Sequence, residues 1–149
     1  MKYIAQIEIE RPINEVVSLF DNPENYRFWM EGLLSLELME GATGQVGAKS
    51  LFKFKMGKRE MEMTEAVLVR DLPQEYVVQY NAKGVSNSVK SRFSAIDGQK
   101  TLYITENEFE FSGFMKVIAF LMPGSFKKQS QKYLTDFKNF VENSTSNLG

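Results

Sequence analysis

Five polar residues stand out by the company they keep. Ser50, Glu65, Tyr80, Asn87 and Asn107 fall in alternating segments, on the same side as Phe52, Phe54, Met61, Met63, Val89, Phe93 and Phe109. A carboxylate or an amide set among phenylalanines and methionines is dehydrated and needs hydrogen-bond partners. In an apolar recess the Glu65 carboxyl would favour its neutral form. It could then serve as general acid, general base or anchor for a ligand hydroxyl. The plainer alternative is a carboxylate solvated near the edge of a sheet, or one tied to Tyr80. Tyr80, Asn87 and Asn107 could orient a ligand carbonyl, or satisfy one another and a few waters. Met56, Met61 and Met63 fit an ordinary core, but unbranched thioethers also suit a pocket that adapts to several ligands.

Composition removes most other chemistry. The chain has 149 residues, 43% of them hydrophobic, which is the size of one domain spanning 1–149 with a real core. With no cysteine and no histidine there are no disulfides, thiolate metal sites or cysteine nucleophiles, and the commonest metal ligand and general base is missing. No metal or cofactor is called for. The net charge is −1 and the basic residues are scattered, so nucleic acid is not an expected partner. The longest apolar run, 117–122, is far short of the roughly 20 residues that span a bilayer, so no stable membrane insertion is expected. No charged-then-apolar leader opens the sequence, and a soluble cytoplasmic protein is expected.

The polar row must be positioned by a sheet. Tyr3, Ala5, Ile7 and Ile9 alternate with Gln6, Glu8 and Glu10, a strand with one buried face that Arg11-Pro12 ends. Residues 13–20 and 23–30 then read as two short helices, with Asn22 capping the second and Pro23 in its first turn. Trp29 is expected to anchor that elbow by packing. Glycines and prolines punctuate six further strand-like runs, which suggests a seven-stranded antiparallel sheet. Gly57-Lys58 and Lys83-Gly84 are taken as two-residue turns, 71–74 as a longer loop and 97–99 as a three-residue loop. This register opposes Lys55 to Glu60, Lys53 to Glu62, Glu62 to Lys83, Arg70 to Glu75, Glu75 to Arg92 and Lys90 to Glu106, with no like-charged pair. On the other face it aligns Ser50, Glu65, Tyr80, Asn87 and Phe109 in one row. The segment 41–50 superficially suggests a phosphate loop, but it has no Gly-Lys pair and leads into a strand, so no nucleotide site is expected.

A long helical segment, 112–142, closes the chain. Phe126, Ser130, Tyr133, Phe137 and Val141 recur on one face, while most of its charges lie elsewhere. Pro123-Gly124 could kink or split it. Residues 114–122 then form an apolar lip beside Lys116, Lys127 and Lys128. The expected place for that lip is against the sheet, the alternatives being a cavity entrance or a brief membrane contact.

A bent sheet gripping one helix is not always filled by side chains, and small-molecule pockets occupy about 300–1,000 Å³. Left empty, even about 300 Å³ would destabilise by roughly 7 kcal/mol at about 24 cal/mol per Å³. Such a space should hold water, a ligand or both.

Several stretches carry a family likeness: Ile9-Glu10-Arg11-Pro12-Ile13-Asn14-Glu15-Val16, Phe20-Asp21-Asn22-Pro23 with Trp29 after it, Gly41 to Gly47, Leu72-Pro73, and Phe126, Leu134, Phe137-Lys138 and Val141-Glu142. In these the chain resembles the superfamily of START lipid-transfer domains, birch-pollen allergens and polyketide cyclases/dehydrases, often called SRPBCC. The resemblance implies an α+β helix-grip fold: a seven-stranded curved antiparallel sheet around a long C-terminal helix, two short helices between strands 1 and 2, and a hydrophobic cavity. The leading expectation is a protein that binds a hydrophobic or amphipathic molecule, such as a lipid, isoprenoid or polyketide-like compound. Its ligand would touch Ser50, Phe52, Phe54, Met61, Met63, Glu65, Tyr80, Asn87, Val89, Phe93, Asn107, Phe109, Phe126 and Tyr133. One alternative is a cofactor-free cyclase or dehydratase in which Glu65 moves a proton and Tyr80, Asn87 or Asn107 polarises a carbonyl. Another is a protein-interaction module of the chaperone-activator kind, which an exposed apolar patch without a pocket would favour.

Overall fold

Alternation in the middle of the chain becomes one sheet. In the computed structural model, which describes residues 1–145, the strands are β1 (Lys2–Ile9), β2 (Leu33–Glu40), β3 (Lys49–Met56), β4 (Arg59–Asp71), β5 (Glu75–Ala82), β6 (Val85–Asp97) and β7 (Lys100–Phe111). Their spatial order is β1-β7-β6-β5-β4-β3-β2 and every pairing is antiparallel. Gly57-Lys58 and Lys83-Gly84 are the expected tight turns, since Met56 faces Arg59 and Ala82 faces Val85. Between β1 and β2 come α1 (Ile13–Phe20), a short 3₁₀ turn (Pro23–Asn25) and α2 (Tyr26–Trp29). The Asn22 side chain accepts a hydrogen bond from the Glu24 amide at 3.1 Å, so it caps the second helical segment as its residue type suggests.

The closing helix is two helices, α3 (Phe114–Leu121) and α4 (Pro123–Thr145). Proline at 123 has no N–H to donate back into α3 and disfavours helical backbone at Met122, which sits at φ −133° and ψ 55°. α4 lies along β1. The Tyr3 hydroxyl donates to the Phe126 carbonyl at 2.9 Å and shares a hydrogen bond with Ser130 Oγ at 2.7 Å. On the buried face of α4, Leu134, Phe137 and Val141 are nearly or fully inaccessible, whereas Phe126 and Tyr133 are only half-buried.

Aromatic rings fill one end of the space between sheet and helix. Phe20 touches the rings of Trp29, Tyr76, Phe93, Tyr103 and Phe137, with centroid separations of 5.0 to 6.2 Å. Trp29 is 7% exposed and belongs to this cluster, a packing anchor as expected. At the other end Phe126 meets Phe109 at 5.3 Å and Phe111 at 4.9 Å. Helix and sheet are thus joined by rings at both ends of α4's apolar face.

Three expectations need correction. A bulge at Leu68 shifts the β4–β5 register, so Arg70 faces Tyr76 rather than Glu75, and Asp71 faces Glu75. The extra residue turns Arg70 to the inner side, where its guanidinium donates to both Asp21 carboxylate oxygens at 2.8 and 2.6 Å and to the Gly44 carbonyl at 3.1 Å. Glu75 pairs with Lys90 at 3.5 Å instead. A second irregularity, between Ala95 and Asp97, lets Asp97 face Lys100 and shortens the expected three-residue loop to two residues. The apolar lip 114–122 is not buried against the sheet: Phe114 is 74% and Phe120 84% exposed. With its two side chains 25% and 32% exposed, the Arg70–Asp21 pair is partly solvated. Asp21→Asn should lower stability by about 1 kcal/mol, less in high salt. Chemical denaturation at two salt concentrations checks this; an unchanged midpoint in low salt would show that the pair only decorates the bulge.

Candidate functional site

The polar row forms as spaced. Ser50 faces Glu65, Glu65 faces Tyr80, Tyr80 faces Asn87 and Asn87 faces Phe109 across five neighbouring strands. One step along the strands, Val67, Val78, Val89 and Asn107 make the next row of the same face. Phe93 lies further along, opposite Tyr103 at the packed end. Phe52 opposes Met63 and Phe54 opposes Met61. Met61 nevertheless stands apart from the others: it lies on the part of β4 that runs past its pairs with β5, and it is 36% exposed.

Glu65 is the chemical centre of this face. It is 7% exposed, and burial raises its pKa to about 7, against the opposing effect of the hydrogen bond that Tyr80 donates. Burial, reinforced by the nearby Glu65 carboxyl, also holds the hydroxyls of Tyr80, Tyr26 and Tyr76 in their neutral form. Tyr80 therefore hydrogen-bonds the carboxyl, while Tyr26 and Tyr76 feel its charge. Tyr26 reaches the group from α2 and stacks on Phe52 at 6.3 Å, and Tyr76 comes from β5 beside the bulge. Sequence reading missed both. The signal for Tyr26 was its position three residues before Trp29, on the same helical face; the signal for Tyr76 was its alternation with Val78 and Tyr80 on β5.

The amides divide into one satisfied and one bare. Asn107 Nδ2 donates to Thr105 Oγ1 at 3.0 Å, and Thr105 lies within 3.5 Å of the Ala5 carbonyl, so Asn107 belongs to a local network reaching β1. Asn87 Oδ1 is buried with no hydrogen-bond partner among the described residues. A desolvated acceptor left without a donor carries a penalty of about 1–3 kcal/mol, which a bound hydroxyl or water would relieve. Ser50, Met63, Tyr80, Val89, Phe109, Phe126 and Tyr133 keep accessible surface, while Phe52, Phe54 and Phe93 do not. Chemically, the arrangement can hold a proton on Glu65 near neutral pH, donate through the tyrosines and accept at Asn87.

Solved structures were compared with this geometry. A conserved protein from Geobacillus kaustophilus superimposes with a TM-score of 0.80 at 18% identity, covering 97% of each chain. The Zhui aromatase/cyclase from Streptomyces sp. R1128 gives 0.81 at 11% identity, with 97% of this chain and 95% of that one covered. Norcoclaurine synthase from Thalictrum flavum, in complex with dopamine and hydroxybenzaldehyde, gives 0.70 at 14% identity over 96% and 87% of the two chains. This is the helix-grip fold. It is the fold that the sequence led us to expect. No family model matches the chain, and no curated protein matches it. Among the described residues, no helix of this helix-grip chain is long and apolar enough to cross a membrane, and no cluster of acidic side chains could hold a metal ion.

Proposed function

We propose that the chain binds a hydrophobic or amphipathic small molecule, of the lipid, isoprenoid or polyketide-like class, between the inner face of the sheet and α4. The observation that carries this reading is the pairing of Glu65 with the bare acceptor of Asn87 in one row of an otherwise apolar wall. Two further features support it. Tyr80 is dehydrated enough to hold its proton firmly yet retains accessible surface, as the wall of a recess does. On the sheet, the rows between the ring pair Phe93–Tyr103 and Phe109 carry Ser91 with Thr105 and Val89 with Asn107, groups smaller than the rings at either end. A ligand that donates a hydrogen bond, such as an alcohol or phenol, suits the Asn87 Oδ1 acceptor, to which a carboxylate has no proton to give.

Native mass spectrometry of the purified protein tests the reading directly, through a co-purified hydrophobe or uptake from a panel of phenols and long-chain alcohols. Val89→Phe sharpens the test. If the wall faces a recess, the ring fills it: binding falls at least about tenfold and stability stays within about 1 kcal/mol of wild type. A loss of about 1–3 kcal/mol, the usual effect of overpacking, would report a filled interior and end the proposal.

A second reading is favoured by the Glu65 pKa of about 7, which places the group where proton transfer in either direction is efficient at neutral pH. On this reading the chain is a cofactor-free cyclase or dehydratase, Glu65 moves the proton and Tyr80 orients it. The Zhui aromatase/cyclase and norcoclaurine synthase show that the same backbone is found in proteins named as enzymes.

A further inference from the structure

We propose that the end of the molecule built by α3 and the adjoining hairpin turns docks on an anionic lipid surface. The inference rests on α3 and its surroundings, and not on the recess. α3 is apolar on every side, with Lys116 as its single charge. Helices of that kind are normally enclosed. Here only Met115, Ile118 and Ala119 turn inward, and Phe114, Val117, Phe120, Leu121 and Met122 are 74%, 47%, 84%, 67% and 55% exposed. Five large apolar side chains on two helical turns form a contiguous patch, unlike the isolated exposed residues found on any surface.

The patch is held in place. The Ser112 amide donates to the Gly84 carbonyl at 2.9 Å, and Met115 packs so closely on Gly84 that a Cβ there would lie 2.9 Å from its Cγ. Gly84 is at φ 79°, so any side chain at that turn would be strained as well as crowded. α3 is thereby pinned to the β5–β6 turn with its outer face turned away from the sheet.

Charge decides what covers the patch. Between residues 111 and 131 the charged side chains are Lys116, Lys127 and Lys128, and there is no acid. The same end of the sheet carries Lys83 at the β5–β6 turn, and Lys55, Lys58 and Arg59 with the exposed Met56 at the β3–β4 turn. The acids there include Glu60 and Glu62, which face Lys55 and Lys53 across the β3–β4 ladder, Glu108, which lies 3.7 Å from Lys2, and the exposed Glu110 opposite Ser86, and the basic residues outnumber them. In a chain of net charge −1, this is local segregation of positive charge around an apolar stripe. A second copy seated on the patch would set lysine against lysine with no acid on α3 to relieve it. An anionic bilayer satisfies both halves. Phenylalanine and leucine enter the headgroup boundary, and each lysine near the surface is drawn to the anionic headgroups while its stem lies along the apolar stripe. At eight residues α3 can lie in the interface but not span it.

Co-sedimentation with phosphatidylcholine–phosphatidylglycerol vesicles, and with phosphatidylcholine alone, tests this. Binding is expected to the mixed vesicles in low salt, and to be at least about tenfold weaker to the neutral vesicles or in high salt. The double variant Phe120→Asp with Leu121→Asp should abolish binding without lowering Tm, because both side chains already face water. Lys127→Glu with Lys128→Glu should weaken it at least about tenfold. The proposal is overturned by absence of binding to the mixed vesicles, by binding that survives the aspartates, or by a lower Tm in the aspartate variant, which would mean that α3 packs inward. It is overturned equally by sedimentation equilibrium showing a dimer that the aspartates dissolve.

Discussion

Phe137→Ala should lower the free energy of unfolding by about 3–5 kcal/mol, the largest effect expected of any single truncation in this chain. The side chain is fully buried, and its ring meets Trp29 at 4.9 Å, Tyr103 at 5.5 Å and Phe20 at 5.8 Å. Those three rings come from α2, β7 and α1, so one truncation opens a gap where four elements converge. Its neighbours are themselves large rings held by other rings, which limits how far the site can collapse. Against the roughly 5–15 kcal/mol of a typical domain, that loss is a fifth or more of the total. Urea denaturation measures it as a lower midpoint at unchanged slope. A loss below about 1.5 kcal/mol would show that α4 is held by β1 and Phe126 rather than by this cluster. Phe126→Ala makes the comparison, because that half-buried ring at the other end of α4 should matter less.

Glu65→Gln should remove the loss of stability that rising pH causes through this group. Burial raises the native pKa of Glu65 from 4.5 to about 7. Below 4.5 native and unfolded chains are both protonated, and the group is neutral with respect to folding. Between 4.5 and about 7 the unfolded chain ionises while the native carboxyl keeps its proton. The unfolded state then binds fewer protons, and stability falls as pH rises. Above about 7 the loss is complete, and at about 1.4 kcal/mol per pH unit it reaches about 3 kcal/mol. Glutamine keeps the volume and an acceptor for the Tyr80 hydroxyl but never ionises. The variant should therefore gain about 2–3 kcal/mol over wild type at pH 8 and nothing near pH 4, read from denaturation midpoints across that range. Equal pH profiles for the two proteins would place Glu65 in water. If the chain is a cyclase or dehydratase, the same substitution abolishes turnover while ligand binding persists, so one variant separates a binding role from a catalytic one.

Much of this architecture was legible because it depends on period. Strands with one buried face alternate every second residue, and once two-residue turns were set at Gly57-Lys58 and Lys83-Gly84, the pairing from Ser50 to Phe109 followed residue by residue. Lys55 and Glu60, Lys53 and Glu62, and Lys90 and Glu106 face each other for the same reason, and the last two pairs lie within 3.7 and 4.0 Å. A bulge has no period. The one at Leu68 moved Arg70 from the outer face to Asp21, and nothing in the local residue types marks it, because a valine-rich strand reads alike in either register. The helical pattern of 112–142 was similarly continuous in side chains, although Pro123 broke it in the backbone and left α3 facing water.

Away from the bulges, residue order alone determined which side chains share a face, and so placed a carboxyl, a phenol and an amide side by side on one wall: regular hydrogen-bonded strands leave no other choice once the turns are set. Which of those groups is satisfied depended on contacts between segments far apart in the chain. Thr105 reaches Asn107 while Asn87 Oδ1 stays bare, Tyr26 from α2 packs on Phe52, and the exposure of α3 follows from how one turn at Gly84 holds Met115. Burial and pKa are properties of what surrounds a group, and in this protein those surroundings are assembled only when the helices settle on the sheet.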